Sequence, residues 1–184
     1  MQDLSLHLLD IAQNSIRAKA SVIKITIEEN LKANKFSMMI ADNGMGMSAT
    51  LARQATDPFV TTRTTRKVGL GLPLLKQNCI MSGGTLEVSS EVGKGTIVTA
   101  VMQYDHIDRL PMGDVASSMC VLIQANPTVD FIYTHFYNDQ VFVLDTREVK
   151  EALEDVPINE LGIVEWLRLY ITENLKAIRK NRED

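Results

Sequence analysis

Two pairs of short alternating runs set the limits on this chain. Val22 to Glu28 alternates Val, Lys and Thr with Ile, and Lys35 to Ala41 reads KFSMMIA. Thr85 to Ser90 and Thr96 to Gln103 form the second pair. A period of two puts alternate side chains on one buried face and the rest on an open one. The polar turn Asn30 to Asn34 joins the first pair. Glu91-Val92-Gly93-Lys94-Gly95 joins the second, and its glycines allow positive φ. Each pair reads as an antiparallel hairpin, and a sheet with one apolar face needs a second layer to cover it.

Helical patterns supply that layer. From Leu4 to about Ala18, Leu8, Ile11, Ala12 and Ser15 share one face, while His7, Asp10, Asn14 and Arg17 share the opposite one. Ser48 is an N-cap for a short helix to Ala55. Pro73 suits the first turn of a helix from about Leu72 to Met81, which Gly83-Gly84 stops. Between them, Thr56 to Val68 reads as a loop rich in Thr and cations with a Pro–Phe anchor. The order helix, two strands, helix, loop, helix, two strands predicts a two-layer α/β sandwich with helices on one face.

A boundary is expected at Asp105 to Gly113, dividing residues 1–105 from a small α+β extension over 106–184. In the extension, Asp114 caps a helix, Asp130 to Tyr137 and Val141 to Leu144 form a hairpin around Asn138-Asp139, and helices follow at Thr146 to Asp155 and Asn159 to Arg179. Ile163, Trp166, Leu167, Tyr170 and Ile171 make an apolar stripe, read as packing on the core or as a docking face. The extension reads as a small second domain or as a layer packed on the first.

Bulk properties exclude several classes. With 184 residues, 45% hydrophobic and 23% charged, the chain is globular. A net charge of −4 argues against a nucleic-acid footprint over the whole surface. Cys79 and Cys120 form no CxxC pair and read as reduced core thiols. Asp3 stands where a signal peptide wants a cation, and no apolar run approaches the roughly 18 residues of a membrane span. The expectation is a cytoplasmic protein without a membrane segment.

Several positions carry chemistry. Asp10 and Asn14 stand one turn apart on one helix face. An Asn oxygen suits Mg²⁺, and a neighbouring carboxylate can orient or deprotonate a water or hydroxyl. Asp42 ends a strand where the glycine turn DNGMGM begins, so Gly44 and Gly46 let backbone approach a flat ring. Gly69-Leu70-Gly71-Leu72 precedes a helix whose first amides can meet phosphate, with Arg63, Arg66 and Lys67 just upstream. Alone, each fits an ordinary turn or a solvated face.

Together, D-x-x-x-N, DNGMGM, PFVTTR, GLGL and GKGT resemble, in order and spacing, the boxes of the GHKL ATPase superfamily. That superfamily joins DNA gyrase, a heat-shock chaperone, sensor histidine kinases and the MutL repair proteins. The likeness covers about residues 4 to 103 and is nearest to the sensor kinases and anti-sigma-factor kinases. It implies the Bergerat-type ATP-binding fold, with a mixed, mainly antiparallel sheet, and it implies ATP with Mg²⁺. Asn14 is then similar to the asparagine that holds the metal, and Asp42 to the aspartate that reads the adenine amine. Gly44 and Gly46 lie beneath the base. Phe59 resembles the aromatic anchor of a lid that also holds Thr61, Thr62, Arg63 and Lys67. Gly69, Leu70, Gly71 and Leu72 resemble the phosphate turn, and Thr96 the threonine near adenine.

Asp10 departs from the pattern, since hydrolysing members carry Glu there and sensor kinases Asn or His. The resemblance implies transfer of the γ-phosphate to a partner protein in trans, with Asp10 as the catalytic group. A nucleotide-gated binding module or a slow ATPase is the alternative, and a homodimer is compatible with either. His7 reads as structural or as a phosphate-side residue.

Overall fold

In a computed structural model, residues 2–57 and 71–180 are described. The chain runs α1 (Leu4–Arg17), β1 (Val22–Asn30), β2 (Lys35–Asp42), α2 (Ala49–Gln54), α3 (Gly71–Met81), β3 (Thr85–Glu91) and β4 (Gly95–Gln103). It continues with α4 (Val115–Ala125), β5 (Asp130–Tyr137), β6 (Gln140–Asp145), α5 (Thr146–Leu153) and α6 (Leu161–Lys180). The expected hairpins are present, and the expected caps close. Ser48 accepts from the Leu51 amide at 3.3 Å, and Asp114 from the Ser117 amide at 2.9 Å.

The strands form one sheet in the order β3-β4-β2-β1-β5-β6. The β1–β5 pair is parallel and the other neighbours are antiparallel, which gives the mixed, mainly antiparallel sheet of an α/β sandwich. The chain beyond residue 105 therefore adds two strands to the sheet begun by the first hairpin. Its linker is stitched to α1: Pro111 and Met112 carbonyls accept from the Leu4 and Ser5 amides at 3.0 and 2.9 Å. Those amides begin a helix and have no partner within it.

One face of the sheet is buried. Tyr133, Ile25, Ile40, Val98 and Val88 lie side by side across five strands, and the first three are at most 2% exposed. Helices α3, α1, α4 and α6 cover this face, in contact as neighbours in that order. Lys24, Val141 and Val143 on the opposite face are exposed. The α6 stripe packs on the core only in part. Leu167 and Ile171 are fully buried, whereas Trp166 and Tyr170 are exposed and stacked on each other at 5.0 Å. No helix among the described residues is long and apolar enough to cross a membrane.

A buried ionic cluster fastens the C-terminal elements. Glu29, at the end of β1, is 5% exposed. Its Oε1 accepts from the Arg179 guanidinium at 2.5 Å and meets His135 Nε2 at 2.7 Å. With Nε2–H donating to the carboxylate, Nδ1 of His135 is left to accept from the Tyr133 hydroxyl at 2.5 Å. Burial alone would raise the Glu29 pKa. The hydrogen bonds from His135 and Arg179, with the Arg179 charge, outweigh it and hold the group at about 2, against 4.5 for the free carboxyl.

A carboxylate with a depressed folded-state pKa stabilises the fold above its unfolded-state value, and that contribution is lost as pH falls through the folded one. Urea denaturation across a pH series should therefore show stability draining away between pH 4.5 and about 2, with the Glu29→Gln variant giving a flatter decline. Glu29→Ala, which leaves the buried His135 without its acceptor, should cost about 1–3 kcal/mol at neutral pH.

Candidate nucleotide site

The site grows out of the buried face of the sheet. One inward-facing row runs Phe131, Ile23, Asp42, Thr96, Ser90 across neighbouring strands. Its first two members are fully buried core. The next three are polar and half-buried, so the apolar core gives way to hydrogen-bonding groups within one row. Asp42 and Thr96, both expected near a ligand, are thus direct cross-strand partners.

Asp42 is held by two donors. The buried Ser15 hydroxyl donates to Oδ2 at 2.6 Å, and the Gly44 amide donates to Oδ1 at 2.8 Å. A carboxylate has about four lone-pair sites, so acceptor capacity remains. The turn after Asp42 is fixed on three sides. Asn43 Oδ1 accepts from the Ser21 and Val22 amides at 2.9 Å each. The Met45 amide donates to the Ala18 carbonyl at 2.9 Å, and the Met45 carbonyl accepts from the Gly93 amide at 2.8 Å. A Cβ on Gly44 would stand 2.7 Å from the Ala18 oxygen. Gly46 has φ +66°, and a Cβ there would collide with the Glu91 carbonyl. Only glycine lets this turn close onto α1 and the β3–β4 hairpin.

Thr96 is oriented by Ser90. The two hydroxyls lie 2.9 Å apart, and Ser90 Oγ also accepts from the Met47 amide at 2.8 Å. Ser15 and Ser90 were not expected as site residues. Ser15 falls on the apolar face of its helix, and only its position directly after Asn14 could have marked it. No sequence signal marks Ser90.

On α1, His7, Asp10 and Asn14 form a stripe at helical spacing. Asn14 is half-buried, and its Oδ1 accepts from Arg17 at 3.1 Å. An amide oxygen has two lone pairs, so one stays available for a cation. Asp10 is half-buried, and its Oδ2 is buried without a partner. His7 differs from the expectation of a polar face, since it is 1% exposed under α3. Its Nε2 meets the Asn78 amide nitrogen at 3.0 Å. Burial first, and then the N-terminal charge, lower its pKa against the opposing charges of Asp10 and Asp3. A hydrogen-bonding interaction of the ring with the Gly71 backbone also opposes the lowering.

Gly71 and Leu72 are buried and open α3, bringing the first turn of that helix against α1. Phe59, Thr61, Thr62, Arg63, Arg66, Lys67, Gly69 and Leu70 lie outside the described residues. No cluster of three or more His, Cys, Asp or Glu able to hold a metal occurs among the described residues. Magnesium that arrives on a nucleotide does not need one, because it takes few protein ligands and keeps several waters.

The described residues fit an adenine nucleotide. Asp42 is a fixed acceptor, the bare Gly44 backbone gives a close approach, and Asn14 supplies an amide oxygen one residue from Ser15. Loss of the Ser15→Asp42 bond is a direct check on this arrangement. Ser15→Ala should lower stability by about 1.5–3 kcal/mol in chemical denaturation, since the bond has a charged acceptor.

Comparison with known proteins identifies the family. The profile of the family described as "Histidine kinase-, DNA gyrase B-, and HSP90-like ATPase" matches residues 2–106. Sporulation kinase D of Bacillus subtilis is 33% identical over 95 residues, 52% of this chain and 19% of that protein. Sensor histidine kinase ZraS of Escherichia coli is 31% identical over 108 residues, 58% of this chain and 23% of that protein. The match thus spans about a fifth of each relative's length. Among solved structures, the N-terminal domain of a DNA repair protein superposes with a TM-score of 0.50 at 17% identity, covering 79% of this chain and 52% of that one. That likeness concerns the fold alone.

Proposed function

The chain belongs to the histidine kinase-, DNA gyrase B- and HSP90-like ATPase family, and from that premise we propose that it binds Mg²⁺-ATP and passes the γ-phosphate to a partner protein in trans. Residues 2–106 are an ATP-binding domain of the kind found in histidine kinases. We assign the nucleotide site to residues 1–105 and read residues 106–184 as an extension that completes the sheet.

The observation that carries the reading is the Asp42 carboxylate, held by Ser15 and Gly44 with acceptor capacity to spare at the mouth of the core. In this reading Asp42 accepts from the exocyclic amine of adenine. Thr96 stands beside it, and Gly44 and Gly46 keep side chains out of the plane of the base. Asn14 offers its amide oxygen to Mg²⁺, which neutralises charge on the phosphates when bound. The first amides of α3, at Gly71 and Leu72, point at phosphate, with Gly69 and Leu70 just before them. Phe59, Thr61, Thr62, Arg63 and Lys67 are assigned to a lid over the phosphates, by resemblance. Asp10, one turn from Asn14, orients the acceptor and takes its proton.

Phosphoryl transfer is mostly positioning and charge neutralisation, and these groups supply both. The assignment to transfer in trans follows the kinases among the relatives, whose other segments lie outside the matched stretch.

Calorimetric titration with ATP tests the site. Asp42→Asn should weaken binding about 10- to 100-fold, the loss of one charged-acceptor hydrogen bond. Asn14→Ala should leave metal-free binding alone and abolish the gain from Mg²⁺. If the wild type binds ATP but labels no partner from γ-labelled ATP, transfer in trans is wrong and the binding assignment survives.

A further inference from the structure

The sheet has two edges, and only one of them is protected against pairing. At the β3 edge the open-face residues are Thr85, Glu87, Ser89 and Glu91, so charge stands where a further strand would add. At the other edge β6 reads QVFVLD over Gln140–Asp145. It has no Pro, no Lys or Arg and no bulge, since its register with β5 runs unbroken from Tyr137↔Gln140 to Ile132↔Asp145. The helix that follows does not cover it. α5 turns back onto β5, where Thr146 Oγ1 accepts from the Phe131 amide at 2.8 Å and Lys150 meets Asp130 at 2.7 Å. An edge strand without such protection is a template for another strand.

Apolar side chains flank this edge on both faces of the sheet. Val141 and Val143, on the open face, are each half exposed. On the helix face Tyr170 of α6 packs edge-on against Phe142 at 5.7 Å, and Trp166 stacks on Tyr170 at 5.0 Å. Trp166 and Leu169 are half exposed. Tryptophan and tyrosine are among the residues that most often dominate interface energy.

A two-fold axis normal to the sheet, beside β6, brings each of these groups to its own copy. The two β6 strands then run antiparallel, the valines meet on one face and the α6 helices on the other. Residues opposite each other in an antiparallel pair point to one face, so the residue on the axis stands opposite itself. An axis near either end of β6 pairs too few residues, which leaves Phe142 or Val143. Charge selects between them. With Phe142 on the axis, Asp139 faces the second copy's Asp145, a like-charge pair. With Val143 on the axis, Asp139 faces the second copy's Arg147, whose guanidinium is held at the strand end by its own Asp145 at 2.5 Å. Both side chains are exposed, and symmetry makes the pair twice. We propose that the chain forms a homodimer through the edge of β6, with Val143 on the two-fold axis and the two sheets joined into one.

β1 and β5 stand between this edge and the strand that ends in Asp42, so the Asp42 rows lie away from the interface. The inference is therefore independent of what those rows bind.

Sedimentation velocity on the full chain is the first test. A dimer of 20.5 kDa chains is expected, and a monomer at every concentration overturns the proposal. Val143→Cys reads the axis. On it the two Cα atoms stand about 4.5–5.5 Å apart, within disulfide reach, against about 7–8 Å in the Phe142 register. Cys79 and Cys120 are buried, so air oxidation should link two chains through position 143. Ile97→Cys, exposed on the same face but on β4, should not link. A dimer that Val143→Cys fails to link overturns the proposal. Val143→Lys, which sets two ammonium groups face to face, should give a monomer with an unchanged circular dichroism spectrum. Should that variant unfold, the cysteine result decides alone. Trp166→Ala should weaken the dimer about 10- to 100-fold. A dimer indifferent to Val143→Lys uses another surface and overturns the proposal. So does a monomeric chain whose β6 edge takes up a different protein from a cell extract, with Val143→Lys blocking the uptake.

Discussion

The bond from the Ser15 hydroxyl to the Asp42 carboxylate, 2.6 Å long, ties the helix layer to the sheet where the core meets the site. It uses one of the carboxylate's acceptor positions and fixes the plane of the rest. The Gly44 amide fixes the other oxygen, and the same turn is hydrogen-bonded to the end of α1. The stripe of His7, Asp10 and Asn14 is thereby held at a set distance from Asp42. A base-reading group and a phosphate-side group must be spaced rigidly if both are to act on one nucleotide, because binding energy from the base end is useful only if it positions the reacting end.

Much of this was legible in the sequence, for local reasons. The hairpins follow from period-two alternation and from glycine at Gly93 and Gly95. The caps Ser48 and Asp114 are local acceptors for local donors. The strand end at Asp42 and the turn through Gly44 and Gly46 are short-range features, and the β2–β4 register then makes Asp42 and Thr96 neighbours. What stayed hidden depends on distant partners. His7 lies on a polar helix stripe by arithmetic, yet α3 arrives from 71 residues away and buries it. Ser90 comes beside Thr96 only through the β3–β4 register, and accepts from the Met47 amide. The parallel pairing of β5 with β1 could not be read from alternation, because an inward-facing row looks the same in either direction.

The C-terminal extension does more than cover apolar surface. Its β5 continues the same inward-facing row that ends in Asp42, Thr96 and Ser90, so Phe131 backs the site from the far side of Ile23. The Glu29 cluster locks that arrangement at the other end of β1, where Arg179 of α6 reaches across to the sheet. A buried ion pair is weak evidence for stability by itself, since desolvation offsets the attraction. Here the carboxylate has donors from two elements, and it pins the register of β5 and the seat of α6 together. Nucleotide-site geometry and the extension are thus parts of one core.

The central claim is that Asp42 reads an adenine base while α1 carries the phosphate-side groups. A crystal structure of the chain with a non-hydrolysable ATP analogue and Mg²⁺ tests it most directly. The account predicts the exocyclic amine within hydrogen-bond distance of the Asp42 carboxylate, with the metal on Asn14 and the γ-phosphate facing Asp10. An analogue bound elsewhere, or bound with its phosphates at Asp42 and its base at Asn14, would contradict it.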